Sequence, residues 1–219
     1  MDWLYFFLAI LAGYIMGAVP FGFLFVKATK GVDLRDVGSG RTGATNSMRA
    51  AGFGMFLLTF AMDVIKGSAA VWLARWITGG RVPMEWFYWA EALAGAASVI
   101  GHNWSVFLKF GGGAGTGPNV GWATAIWWPM LFITFLFGAP TLYFVGMASV
   151  ASLAVAAAIP LAFGIRYFAS YDSTPAYFVG GLLTAAIVTF ALRPNIRRII
   201  AGEERVVGPA AKRRDKNKE

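Results

Sequence analysis

Long apolar runs separated by short polar or glycine- and proline-marked breaks make up most of this chain. The first run extends from Trp3 to Val26, the second from Ala50 to Ile77, and the third from about Glu85 to Phe110. A fourth covers about Val120 to Phe137, a long region Thr141 to Ala169 follows Pro140, and the last run is Ala176 to Leu192. Stretches of about 20 mostly apolar residues suffice to cross a bilayer as helices. Pro160 is expected to divide the Thr141–Ala169 region into two short or tilted helices, since an internal proline removes a backbone hydrogen bond. The pattern therefore predicts an all-α polytopic membrane protein with about seven transmembrane helices, several short or tilted. Gly13, Gly17 and Gly22 leave room for neighbouring helices to approach the first run closely. Gly79, Gly80 and Pro83 mark a turn between the second and third runs.

Nothing in the sequence suggests a soluble domain. Residues 1–204 read as a single transmembrane domain, and residues 205–219 as a basic tail with little that could form a core. The first run has Asp2 before it and Lys27 and Lys30 behind it, so it reads as a retained helix rather than a cleaved secretory signal. An internal repeat and a series of intramembrane charges, the usual marks of a transporter, are missing from the pattern.

Composition supports the membrane reading. Of 219 residues, 58% are hydrophobic and 14% charged, against about 25% charged in an average soluble domain. Lysine and arginine cluster between Lys27 and Arg49 and from Arg193 onward. Basic loops beside apolar helices match anionic headgroups and topology selection, so the net charge of +8 implies membrane lipids as partners and no nucleic acid. The same bias places the tail and the Lys27–Arg49 loop in the cytoplasm, with the N-terminus outside, which an odd number of crossings satisfies. The chain has no cysteine, which excludes disulfides and thiolate catalysis. A single histidine without nearby acidic clusters leaves a metal without ligands, and no cofactor is called for.

Two glycine-rich polar segments stand out between the runs. The first, VGSGRTGATNSMR, extends from Val37 to Arg49; the second, GHNWSVFLKFGGGAGTG, from Gly101 to Gly117. Glycines let successive backbone N–H groups converge on an anion, and the hydroxyls of Ser39 and Thr45 with Arg49 could complete a phosphate cradle. The spacing is neither a P-loop nor a dinucleotide fingerprint, and a tight re-entrant turn is the alternative use for such glycines. Asp63 and Lys66, three residues apart inside an apolar run, share a helix face where they could pair with each other or with the interior.

Together these motifs resemble the bacterial acyl-phosphate:glycerol-3-phosphate acyltransferases, small polytopic enzymes. GSGRTGATN at Gly38–Asn46 with Arg49 is similar to the family's first signature, and Asp63 with Lys66 and Gly67 to its acid and lysine-glycine pattern. Gly101 and His102 with Val106–Phe110 resemble the second signature; Asn195–Arg198 with Gly202 and Glu203 resemble the third. The correspondence is collinear from Trp3 to about Glu204. It implies a seven-helix fold in the bacterial inner membrane with a cytoplasmic site. It also implies transfer of an acyl group from acyl-phosphate to the 1-hydroxyl of sn-glycerol 3-phosphate, the first acylation of phospholipid synthesis.

On that resemblance, Ser39, Gly40, Thr45, Asn46, Arg49, Lys109, Gly112, Gly113, Ser149 and Asn195 would bind phosphate or substrate, with Ser39, His102 and Asn195 as candidates for catalysis. Asn195 would position substrate or fix the loops; His102 would serve structure or proton transfer. The chain also departs from the family pattern. A segment like KGGKGVAT is usual where this chain reads GGGAGTGP, so Gly111 and Ala114 replace lysines and Pro118 a hydroxyl residue. Leu192 stands where a histidine precedes the asparagine, and Tyr143 and Gly146 replace an arginine and a serine, with Ser149 the nearby hydroxyl. Arg41, Lys109 or Arg193 could supply the missing phosphate contact. The alternatives are a noncatalytic structural or lipid-binding subunit of a membrane-protein complex, for which the aromatic load offers packing surface, and a transporter or channel.

Overall fold

The computed structural model describes residues 2–211, and helices dominate them. The first apolar run forms two helices, α1 (Asp2–Ala18) and α2 (Phe21–Lys30), because Pro20 lacks the N–H that would continue the ladder. α2 ends where Gly31 adopts φ 70° and donates its N–H to the Lys27 carbonyl. The polar loop then carries a single 3-10 turn, Leu34–Asp36, and α3 (Ala44–Ala51) before α4 (Phe53–Thr78) and α5 (Met84–Asn103). After the second glycine segment come α6 (Thr116–Ile126), α7 (Met130–Phe144), α8 (Ala148–Phe168), α9 (Ala176–Ala191) and α10 (Arg193–Ile200).

The breaks in the second half differ from those expected. Pro140 lies inside α7 and Pro160 inside α8, whereas the chain breaks at Trp127–Pro129 and Val145–Met147. Pro160 is buried against the backbone side of Gly181 on α9, where a Cβ would come within 2.9 Å of the Pro160 Cα. Close packing there offsets its missing hydrogen bond. The break after α7 instead falls at Gly146, whose φ of 73° no helix accommodates. The third run ends as a helix at Asn103 rather than Phe110, since Trp104 leaves helical geometry at φ −134° and ψ 71°, and Lys109 and Phe110 then take positive φ in a tight turn.

Among the described residues, three helical stretches have the length and apolarity of a membrane span: Asp2–Lys30 taken across its break, Phe53–Thr78 and Ala148–Phe168. α9 and α10 form a further such stretch bent by 63°, and α7 is a shorter apolar helix. The expected all-helical membrane fold is present, while helix length alone does not yield the count of seven.

Glycines set the closest helix crossings. A Cβ at Gly13 or Gly17 of α1 would overlap the Ala94 or Ser98 carbonyl of α5, and one at Gly101 would overlap the Tyr14 carbonyl. α4 and α6 meet in the same way through Gly67 and Gly121, and Ser68 Oγ donates to the Gly121 carbonyl at 2.8 Å. Trp122 stacks on Phe163 at 5.6 Å between ring centres in the apolar core. Around the outside, Trp76, Phe135 and Phe168 are about three-quarters exposed (73%, 70% and 74%), as lipid-facing side chains are. The crossing of α1 with α5 matters for the site, because it places the end of α5 beside the α1–α2 break and the polar loop that follows.

Candidate functional site

Asn46, fully buried on α3, folds the first polar loop around its amide. Its Nδ2 donates to the carbonyls of Leu34 (3.0 Å), Val37 (2.8 Å) and Arg41 (2.8 Å), and its Oδ1 accepts from the Ser39 N–H at 3.3 Å and from Arg49 Nη1 at 3.4 Å. With two hydrogens shared among three carbonyls, that amide nitrogen has nothing left for a ligand. Gly38 and Gly40, at φ 52° and 69°, let the chain turn tightly around it. Among the described residues the Ser39 and Thr45 hydroxyls make no hydrogen bond, and Arg49 makes only its long contact to Asn46.

The second polar segment folds back onto the end of α5. Ser105 donates its N–H to the Gly111 carbonyl (3.0 Å) and its hydroxyl to the Ala18 carbonyl (2.6 Å), closing the turn against α1. Gly113 then donates its N–H to the His102 carbonyl at 2.9 Å. A Cβ at Gly112 would overlap the His102 carbonyl, and one at Gly113 would overlap His102 Nε2. These glycines are therefore needed for backbone approach to α5. Beneath them Asp63 and Lys66 form an ion pair at 2.9 Å, with Lys66 also donating to the Val19 carbonyl at 2.8 Å. His102 Nδ1 lies 3.5 Å from the same Asp63 oxygen, so the pair supports the glycine loop through the imidazole.

Arg41 joins these two segments to the third. Its Nη1 donates to the Gly113 carbonyl (2.9 Å), and its Nη2 to the Ala191 carbonyl (2.7 Å) and to Asn195 Oδ1 (3.0 Å). Thr42 adds a backbone bond to the Gly112 carbonyl at 3.3 Å. Asn195 Nδ2 donates onward to Glu204 Oε1 (2.8 Å), where Ser149 Oγ also donates (2.9 Å), while Arg198 Nε binds Glu204 Oε2 at 2.9 Å. Burial would raise the Glu204 pKa, but hydrogen bonds from Asn195, Arg198 and Ser149 outweigh it and hold the carboxyl below its ordinary value. Arg41 is shifted down by burial and by the nearby Arg198 charge, against the pull of Glu204.

These segments surround one end of a cavity of about 620 Å³. Its polar end includes Ser39, Arg41, Thr45, Asn46, Arg49, Asp63, His102, Asn195 and Arg205; its length is lined by Phe53, Phe56, Phe60, Phe135, Leu142 and Val155. Of the residues expected to form a site, Ser39, Thr45, Asn46, Arg49, His102 and Asn195 line it. Gly40, Gly112, Gly113 and Ser149 stand outside the lining, where Gly112, Gly113 and Ser149 hold the loops and Glu204 in place. Lys109 is exposed in the outer turn, away from the cavity, and Arg193 lies over the Phe190 ring at 3.5 Å.

The sequence reading missed Glu204 and Arg205. The buried carboxylate of the third segment is Glu204, 6% exposed, rather than its exposed neighbour Glu203. One acid inside a strongly basic stretch was the available signal. Beyond it, Val207 donates its N–H to the Gly146 carbonyl at 2.8 Å, so the start of the expected tail lies against the α7–α8 break. Residues 212–219 of that tail lie outside the described residues.

Comparison with known proteins gives one family. The family described as glycerol-3-phosphate acyltransferase matches residues 7–202. A glycerol-3-phosphate acyltransferase of Gloeobacter violaceus is 35% identical over 201 residues, covering 91% of this chain and 94% of that protein. One from Parasynechococcus marenigrum is 36% identical over 204 residues, with 93% and 91% covered. The solved structure of PlsY (YgiH), an integral membrane glycerol 3-phosphate acyltransferase, superposes in its glycerol 3-phosphate form with a TM-score of 0.76 at 30% identity, covering 93% of this chain and 96% of that one. Its lysophosphatidic acid form gives 0.75 at 29% identity.

Proposed function

The chain belongs to the glycerol-3-phosphate acyltransferase family, and from that membership we propose that it transfers an acyl group from acyl-phosphate to the 1-hydroxyl of sn-glycerol 3-phosphate. The observation that carries this reading is the cavity, with cationic and hydroxyl-bearing residues together with a largely apolar lining. The hydroxyl oxygen attacks the acyl carbonyl carbon, the bond from that carbon to the phosphate oxygen breaks, and the hydroxyl proton leaves on the released inorganic phosphate. The products are 1-acylglycerol 3-phosphate and phosphate, which makes this the first acylation of phospholipid synthesis.

An acyl-phosphate brings its own leaving group, so the protein's main task is to hold two phosphate-bearing molecules in register and stabilise developing oxyanion charge. Arg49 and the unpaired hydroxyls of Ser39 and Thr45 bind phosphate. Asn195, Arg41 and His102 act by position: each is committed to protein partners that fix the three loops. Phe53, Phe56 and Phe60 on α4 receive the acyl chain. The site opens toward the cytoplasm of the cell membrane, where a soluble acceptor is at hand.

Purified protein given acyl-phosphate should release phosphate only when glycerol 3-phosphate is also present, with 1-acylglycerol 3-phosphate as the organic product. Arg49→Ala should lower kcat/KM by about 10- to 100-fold, the loss of a charged hydrogen bond worth roughly 1.5–3 kcal/mol. No product from a folded preparation would reject the reading. The noncatalytic alternative draws no support from the relatives, which carry the enzyme's name.

A further inference from the structure

We propose that Arg205, brought to the cavity by the C-terminal segment, is a phosphate-binding residue that works with Arg49 on a phosphate monoester. This rests on the acyl-transfer reading for the identity of the ligands, while the anion site itself rests on the geometry. Arg205 lies beyond residue 202, where the match to the family ends.

The cavity needs a cation that its glycine segment does not supply. From Gly111 to Pro118 the chain carries no charged side chain. Among the described residues, Arg41, Arg49 and Arg205 are the lysines and arginines that line the cavity. Arg41 spends both terminal nitrogens on the Gly113 and Ala191 carbonyls and Asn195. Arg198, next to the site, is bound to Glu204. Arg49 has one contact, at 3.4 Å, and Arg205 makes no hydrogen bond or ion pair among the described residues. Two guanidiniums with unspent donors thus face the same space. Neither makes an ion pair there: Glu204, which also lines the cavity and attracts Arg49, is held by Asn195, Ser149 and Arg198, so an anion between the two guanidiniums relieves their mutual repulsion. A phosphate monoester, carrying nearly two negative charges and three acceptor oxygens, meets both requirements.

The backbone holds Arg205 at this place. On one side Glu204 is fixed by Ser149, Asn195 and Arg198; on the other Val207 is bonded to Gly146. Gly146 is itself required, since a Cβ there would come within 2.6 Å of Ala210 and 2.7 Å of Val206. Arg49 is shifted to lower pKa by burial and next by the charge of Arg205, as expected of two cations sharing one site.

The test uses the full chain in detergent or nanodiscs. Arg205→Ala should raise the KM for glycerol 3-phosphate about tenfold, corresponding to about 1.4 kcal/mol, with kcat changed less. A rise confined to acyl-phosphate, a mixed anhydride rather than a monoester, overturns the proposal. Arg205→Lys should recover part of the loss, and Gly146→Val, which displaces the strap, should reproduce it. Lys30→Ala, an equal loss of charge at an exposed position, should leave both KM values unchanged. If neither KM moves in Arg205→Ala, the proposal fails while acyl transfer stands. Should the wild type transfer no acyl group, the rise in Tm on adding glycerol 3-phosphate decides separately. A rise lost in Arg205→Ala upholds the anion site without the reaction; an equal rise, or none in the wild type, overturns it.

Discussion

Asn46 and Arg49 sit three residues apart on one short helix and do different work. Asn46 closes the loop on three carbonyls, whereas Arg49 leaves its guanidinium facing the cavity. Removing a buried donor strands its acceptors at about 1–3 kcal/mol, and a chain of this size loses roughly 2–4 °C of Tm per kcal/mol. Asn46→Ala should therefore lower Tm by several degrees and activity with it; Arg49→Ala should show the same loss of about 10- to 100-fold in kcat/KM with Tm within a degree or so of wild type. Thermal unfolding and phosphate release on the same samples separate the two. Glu204 gives a pH prediction of definite sign. Its folded pKa lies below the ordinary value of 4.5, so its stabilising contribution is complete above that value and is lost as pH falls through the folded pKa. The Tm of wild type should fall below pH 4.5 more steeply than that of Glu204→Gln, which lacks this contribution at every pH. Parallel Tm profiles would mean that the carboxylate does not anchor the strap.

At the scale of elements, the apolar runs were legible in the sequence because burial in lipid demands continuous hydrophobicity. Their breaks were not. The Trp3–Val26 run read as one helix but is divided at Pro20, whereas Pro160, expected to divide its region, is packed against Gly181 and the helix runs through. The α7–α8 break depends on the φ of Gly146, which looks like any other glycine in sequence. For the site, the glycine-rich segments pointed to Ser39, Arg49 and His102, and the Asn195–Arg198 motif to Asn195, yet the role of Arg41 depends on partners 72 and 150 residues away. Such long-range bonds leave no local pattern. The glycines that set helix crossings make a sharper prediction. Gly17→Val places branched carbons into the Ser98 backbone and should force α1 from α5, with a large loss of Tm. Gly54→Ala in α4, where a Cβ meets nothing within 4 Å, should be neutral or stabilise by up to roughly 1 kcal/mol. Equal effects of the two on Tm would contradict the α1–α5 contact.

Across the whole molecule, polarity is divided between two ends. Trp3 of α1 and Trp86 of α5 meet at 3.6 Å between ring centres at one end, and Tyr14 donates to the Trp104 carbonyl at 2.9 Å near the other, so α1 and α5 run parallel. The cavity's polar residues gather at the second end. Acidic side chains away from the ends of the long helices are buried and paired: Asp63 with Lys66, and Glu91 with Arg75 and with Tyr177, whose hydroxyl donates at 2.5 Å. Unpaired charges at membrane depth are costly, so this pairing leaves the basic loops and tail to set orientation. Asp2 and Glu85 should then lie outside and Arg197 inside. Because the chain contains no cysteine, Asp2→Cys, Glu85→Cys and Arg197→Cys each present a single thiol. A membrane-impermeant maleimide should label the first two in intact cells and the third only after permeabilisation. Labelling all three from outside would require an even number of crossings between Asp2 and Arg197, and would turn the cavity's polar end away from the compartment that holds the proposed acceptor.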